Sequence, residues 1–181
     1  VTRGASGIGE AIVLRLLRDG ATGYALDRDQ VALDRLQSQW SDKSLICVSG
    51  DVTDAGAASE LVDRCVFENG AIEFLVNGAG IMHPPVPLHE LDIEDFDRVC
   101  SVNLKGVFVY YQAVVKRMIS AGTKGVIVNV ASTGAFRPEQ REGGYVSSKH
   151  GVAGLTTSAA LEVAASGIRV NALCPGVTDT P

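Results

Sequence analysis

The sequence predicts a single α/β domain built on a doubly wound parallel sheet. Three observations carry that expectation. Short apolar runs alternate with longer stretches of helical periodicity, the runs are almost continuously apolar, and a glycine-rich turn stands ahead of the first helix. Strands buried on both faces read as unbroken apolar segments. Right-handed crossovers between such strands place helices on both sides of the sheet.

Taken in order, Val1 reads as the end of a first strand and leads into the turn. A helix at 7–19 follows, with Gly9, Ile12, Val13, Leu16 and Leu17 on one face. Strands are expected at 22–27, 45–51, 73–77, 125–131 and 168–173. Helices are expected at 30–40, 55–69, 93–121 and 144–165. No repeat, low-complexity tract or linker interrupts the pattern, so residues 1–181 read as one domain. Residues 179–181 stop just after a strand, and the domain is expected to be part of a longer chain.

At 181 residues and 46% apolar content, the chain has enough material for one packed core. The 16 basic residues form no run and the net charge is −5, which argues against nucleic acid as a partner. It does not argue against an anionic cofactor, because backbone amides bind phosphate whatever the net charge. Cys47, Cys65, Cys100 and Cys174 lack CxxC spacing and read as reduced core thiols in a cytoplasmic protein. No apolar run approaches the ~18 residues of a membrane span, so no membrane association is expected. His83 and His89 lack companions for a metal site and are expected to be structural.

The turn Thr2-Arg3-Gly4-Ala5-Ser6-Gly7-Ile8-Gly9 puts helix-start amides where a pyrophosphate can be held. The competing reading is a plain tight turn. Asp27 ends a strand eighteen residues after Gly9, where a carboxylate accepts from ribose hydroxyls and repels a 2′-phosphate. That favours NAD over NADP, although the adjacent Arg28 works against the preference.

Tyr145 and Lys149 stand four apart in a helix and share a face. A phenol with an ordinary pKa of ~10 is a poor base at neutral pH. A neighbouring ammonium favours the phenolate. Ser132 follows a strand, where strand ends line a ligand crevice and a hydroxyl can stabilise charge on a substrate oxygen. A YxxxK pair alone would read as surface; with the turn and the serine it reads as a proton-transfer site. Asn103 interrupts the stripe Phe96, Cys100, Val107, Tyr110, Val114. It is either a satisfied core amide or part of a polar relay.

These residues resemble the classical short-chain dehydrogenase/reductase family over essentially the whole chain. Thr2, Ser6, Gly7, Ile8 and Gly9 look like its cofactor turn. Asp51-Val52 resembles the pair that contacts adenine, and Asn77, Ala79 and Gly80 resemble the segment beside the cofactor. Asn103, Ser132, Tyr145 and Lys149 match the family's catalytic tetrad in order. Pro175, Gly176, Thr178 and Thr180 resemble the segment that holds the nicotinamide carboxamide. The resemblance implies a Rossmann-like fold and hydride transfer between a nicotinamide cofactor and an alcohol or ketone. It further implies Tyr145 as acid/base, Lys149 on the nicotinamide ribose, Ser132 on the substrate oxygen and Asn103 in a water-linked relay.

Two positions depart from the pattern. Arg3 replaces the turn's first glycine, and where that site needs φ > 0 an arginine strains the loop or crowds the phosphate. Gly78 replaces an asparagine, at the expected cost of one hydrogen bond.

The leading expectation is thus an NAD-dependent dehydrogenase or reductase of small alcohols and ketones, without metal. The alternative is a non-catalytic dinucleotide-binding or scaffold protein of the same fold, which leaves Tyr145 and Lys149 without a purpose. A methyltransferase would leave the pair equally unexplained. Residues 134–144 are expected to border the substrate side, and 81–87 to form another loop near the crevice. Helices around Asn103 and Tyr145, apolar on more than one face, suit a homodimer or homotetramer.

Overall fold

In the computed structural model, which describes residues 1–180, all five apolar runs form parallel strands. They are β1 (Gly23–Asp27), β2 (Leu45–Ser49), β3 (Phe74–Asn77), β4 (Val126–Val130) and β5 (Arg169–Leu173). Six helices alternate with them: α1 (Gly7–Arg18), α2 (Gln30–Gln39), α3 (Ala55–Asn69), α4 (Ile93–Cys100), α5 (Gly106–Ala121) and α6 (Gly143–Val163).

Thr2 is the hinge of the topology. β1 pairs with β2, and β3, β4 and β5 pair in that order. Thr2 bridges both halves, parallel to Leu26 on one side and Asn77 on the other. The chain therefore reverses its direction of winding at Thr2, and such switch points open a crevice at the carboxyl ends of the strands.

Successive strand residues face opposite sides. Ala25 packs with Val13, Leu17, Leu33 and Leu36 against α1 and α2. Leu26 packs with Val62, Val114, Ile127 and Val163 against α3, α5 and α6. Leu36 and Ile127 are completely buried, each worth about 1.5–3 kcal/mol relative to exposure. The four cysteines are free and half-buried. Among the described residues, no helix is long and apolar enough to cross a membrane.

One expectation needs correction. The single helix predicted over 93–121 is broken by a five-residue π-helical turn at Ser101–Lys105 between α4 and α5. A π-turn inserts a residue and shifts the helical phase. Here the shift is compensated by the bonds of Asn103, the one buried residue of that turn. Pro181 lies outside the described residues.

Candidate active site

Aspartates cap three of the six helix starts. Asp29 accepts from Ala32 N, Asp54 from Ala57 N and Asp92 from Glu94 N. α1 is among those without one: its N-cap Ser6 makes no side-chain cap bond. The first-turn amides of α1 are thus left to another acceptor, and a helix N-terminus favours an anion.

The preceding turn is tightly held. Thr2 N donates to Val76 O at 3.0 Å, and Thr2 Oγ1 accepts from Gly78 N and Ala79 N at 3.0 and 3.2 Å. Gly7 has φ +51°, and a Cβ at Gly9 would stand 2.0 Å from Arg3 O. The close approach that requires Gly9 is therefore to the turn's own carbonyl. Arg3 also has φ 51°, the left-handed conformation in which a side chain other than glycine is strained. Its Nη1 donates to Gly80 O at 2.7 Å. At Gly78 a Cβ would lie 2.7 Å from Thr2 O, so the glycine makes room for the turn.

Between turn and sheet lies a cavity of about 220 Å³ whose lining includes Arg3, Ser6, Asp27, Asp51, Val52 and Gly80. Asp27 is 8% exposed, with Oδ2 accepting from Ala5 N and Oδ1 from Asp29 N, both at 3.2 Å. Asp51 accepts from Thr53 N and Thr53 Oγ1 at 2.8 Å, and these bonds hold its carboxyl below the usual range.

Tyr145 and Lys149 occupy the first turns of α6. Lys149 is 4% exposed. Its Nζ donates to Val130 O at 2.7 Å and lies 5.8 Å from the Tyr145 ring centroid. Burial, and then repulsion from Arg3, lower its pKa to about 8, opposed by Cys174. Ser132 Oγ accepts from Gly134 N at 3.0 Å, which leaves its own proton free to donate. A Cβ at Gly134 would meet Ser132 Oγ at 3.3 Å and Tyr145 Cε1 at 3.8 Å, so serine and phenol flank one point.

Asn103 is fully buried. Its Nδ2 donates to Ile81 O at 2.9 Å and to Ser148 Oγ at 3.0 Å, while Oδ1 accepts from Ile81 N at 2.7 Å. It clamps the strap after β3 onto α6. A Cβ at Gly80 would stand 3.2 Å from Lys149 Nζ and 3.6 Å from Asn103 Oδ1, so this glycine packs closely against both side chains.

The structure therefore gathers Asn103, Ser132, Tyr145 and Lys149 at the carboxyl ends of β3 and β4. Asn77 differs from its neighbours Ala79 and Gly80. Its side chain is buried, Nδ2 donates to Asn129 Oδ1 at 2.9 Å, and Oδ1 has no partner among the described residues. Ile8 stands in the first turn of α1 beside Gly7 and Gly9. The Pro175–Thr180 segment crosses the turn: Thr133 N donates to Pro175 O at 2.9 Å, Thr178 Oγ1 donates to Gly176 O at 3.1 Å, and Thr180 Cβ would lie 3.1 Å from a Cβ at Gly7.

Ser148 was not singled out from the sequence, and His83 was expected to be structural but without its partner. Ser148 supports Asn103, and a polar residue on the buried face of α6 was its only signal. His83 accepts from Gly144 N at 3.2 Å, and nothing in its sequence context points to that contact.

Such a crevice, with a glycine turn, a buried carboxylate at a strand end and a Ser/Tyr/Lys cluster, defines a dinucleotide-dependent oxidoreductase. The family model for short chain dehydrogenases matches residues 1–181. The chain is 41% identical to the cis-4-hydroxycyclohexanecarboxylate dehydrogenase of Sinomonas cyclohexanicum, over all of this chain and 73% of that protein. It is 35% identical to the levodione reductase of Leifsonia aquatica, over all of this chain and 69% of that protein. The 3-ketoacyl-(acyl-carrier-protein) reductase from Brucella melitensis, solved with NADH, superposes with a TM-score of 0.94 at 32% identity, covering 99% of this chain and 75% of that one. The chain belongs to the short-chain dehydrogenase family.

The groove fits a nicotinamide dinucleotide on its own evidence. The amides at the start of α1 lack a side-chain cap, and a cavity lined by its N-cap Ser6 reaches Asp27 and Gly80.

Proposed function

We propose that this protein transfers hydride between NAD, in preference to NADP, and the CH–OH or C=O carbon of a small alcohol or ketone. Tyr145 is the general acid/base. The observation that carries this reading is the convergence of Ser132 Oγ and the Tyr145 ring on Gly134, with Lys149 Nζ 5.8 Å from the same ring.

The nicotinamide, when bound, accepts or supplies the hydride. Tyr145 exchanges the proton of the substrate oxygen. Ser132 holds that oxygen with the hydroxyl proton its Gly134 contact leaves free. Lys149 spends one proton on Val130 O; the other two remain for the phenol and the nicotinamide ribose. Asn103 fixes the strap at Ile81 and, through Ser148, the first turns of α6.

Thr2, Ser6, Gly7, Ile8 and Gly9 receive the pyrophosphate, and Asp27 receives the adenosine ribose. Asp51, Val52, Ala79 and Gly80 border the adenine and the inner cofactor, with Asn77 supporting from behind. Pro175, Gly176, Thr178 and Thr180 close over the nicotinamide. Asp27 supports NAD because a second negative charge beside its carboxylate is repelled. Solved neighbours of 30–32% identity include both an NADH complex and an NADP complex, so this preference rests on Asp27 alone.

Exposed apolar side chains on α4, α5 and α6 (Ile93, Phe108, Leu161) support a homodimer or homotetramer. The free cysteines suit a cytoplasmic setting. The test is an NADH titration read by fluorescence, with turnover of a panel of secondary alcohols. Binding with turnover is expected; binding without turnover would favour a scaffold.

A further inference from the structure

We propose that Arg3 is a ligand of the cofactor's pyrophosphate, stored on the Gly80 carbonyl until the dinucleotide enters the groove. The inference rests on the dinucleotide reading of that groove.

Arg3 joins its two walls. The residue belongs to the turn before α1, and its guanidinium reaches the strap after β3, with Nη1 donating to Gly80 O at 2.7 Å and Nε donating to Ser6 Oγ at 3.4 Å. Both Ser6 and Gly80 line the cavity with it. A dinucleotide lying between turn and strap meets this side chain, so the Gly80 contact must open on binding.

Chemistry decides where the guanidinium then goes. Among the described residues no carboxylate stands within ion-pair distance of Arg3, although the chain is acidic overall. Its two partners are neutral oxygens. A bond from a guanidinium to a phosphate oxygen is about twice as strong as one between neutral groups, and the planar fork suits bidentate contact. The uncapped amides of α1 begin four residues further on, so the anion they favour comes within reach of the same side chain.

Two further facts agree. Arg3 holds φ 51°, a strained conformation that a glycine would relieve. Arg3 also disfavours the charged form of Lys149. A phosphate that neutralises Arg3 therefore strengthens the ammonium beside Tyr145, coupling cofactor arrival to the proton-transfer pair.

The test compares wild type with Arg3→Gly and Arg3→Asn, two residues that accept the left-handed conformation. Calorimetry with ADP-ribose and with adenosine separates phosphate from nucleoside binding, and thermal melts report the fold. Both variants are expected to bind ADP-ribose about tenfold more weakly. Adenosine affinity should change less than twofold, and melting temperatures should hold or rise. Unchanged or tighter ADP-ribose binding in both variants would overturn the proposal and make Arg3 an obstruction. Should wild type bind neither probe, the dinucleotide reading of the groove would fall as well.

Discussion

His83 Nε2 accepts the backbone N–H of Gly144 at 3.2 Å, one residue ahead of Tyr145. Its Nδ1 faces Pro84 O at 2.7 Å, the hydrogen-bond pattern of the tautomer that carries its proton on Nδ1. Glu142, the N-cap of α6, makes no side-chain cap bond, and the buried imidazole does that work from another segment of the chain. His83 is thus a positioning residue for the phenol.

His83→Ala should cost about 1–3 kcal/mol of stability, because the Gly144 amide is left buried without an acceptor. It should lower kcat about tenfold through misplacement of Tyr145, with little change in KM for the cofactor. His83→Gln, which restores an acceptor, should recover most of kcat. Steady-state kinetics and denaturant melts check both; equal kcat in His83→Ala would remove the positioning role.

Tyr145→Phe deletes only the phenol oxygen. Turnover should fall by about 10²–10⁴-fold, while the NADH dissociation constant measured by fluorescence stays within about twofold. Retained turnover would take the phenol out of the mechanism.

Lys149 makes stability depend on pH. Its pKa falls from 10.5 in the unfolded chain to about 8 in the fold. Between those values the unfolded state binds more protons, so stability rises with pH. The cost of burying the charge is fully present below about pH 8 and is relieved towards pH 10.5, a span of about 3 kcal/mol. Urea melts from pH 7.5 to 10.5 should show this rise in wild type. The contribution should be absent in Lys149→Met, which should also lose turnover. A matching rise in the variant would assign the effect to another group.

Asp27→Ala should narrow the ratio of NAD to NADP affinity by about tenfold, since the repelling charge is gone. The loss of the bonds to Ala5 N and Asp29 N should lower stability by about 1–2 kcal/mol. Parallel titrations with NADH and NADPH decide it, and an unaltered ratio would count against the ribose contact.

The sheet was legible because its strands are buried on both faces. Runs such as 45–51 and 125–131 carry that fact in composition alone, and only their ends moved by a residue or two. The turn, Asp27 and the Tyr145/Lys149 pair were legible because their spacings are local: a helix face or a strand end converts sequence distance into position. Gly78 was read as a lost hydrogen bond, whereas the nearby Thr2 carbonyl leaves no room for a side chain there.

The π-turn at Ser101–Lys105 was not legible, because the residues around Asn103 keep a helical pattern and the reward for shifting phase lies at Ile81, 22 positions away. The same holds for Ser148 on Asn103, for His83 under Gly144 and for Arg3 on Gly80. Periodicity and local spacing are properties of neighbours along the chain, and they settled which segments become strands, which become helices and which side chains face the crevice. Hydrogen bonds between distant segments depend on how the layers pack. Only the folded molecule decides which polar atom meets which, and therefore what holds Tyr145 and Lys149 in place.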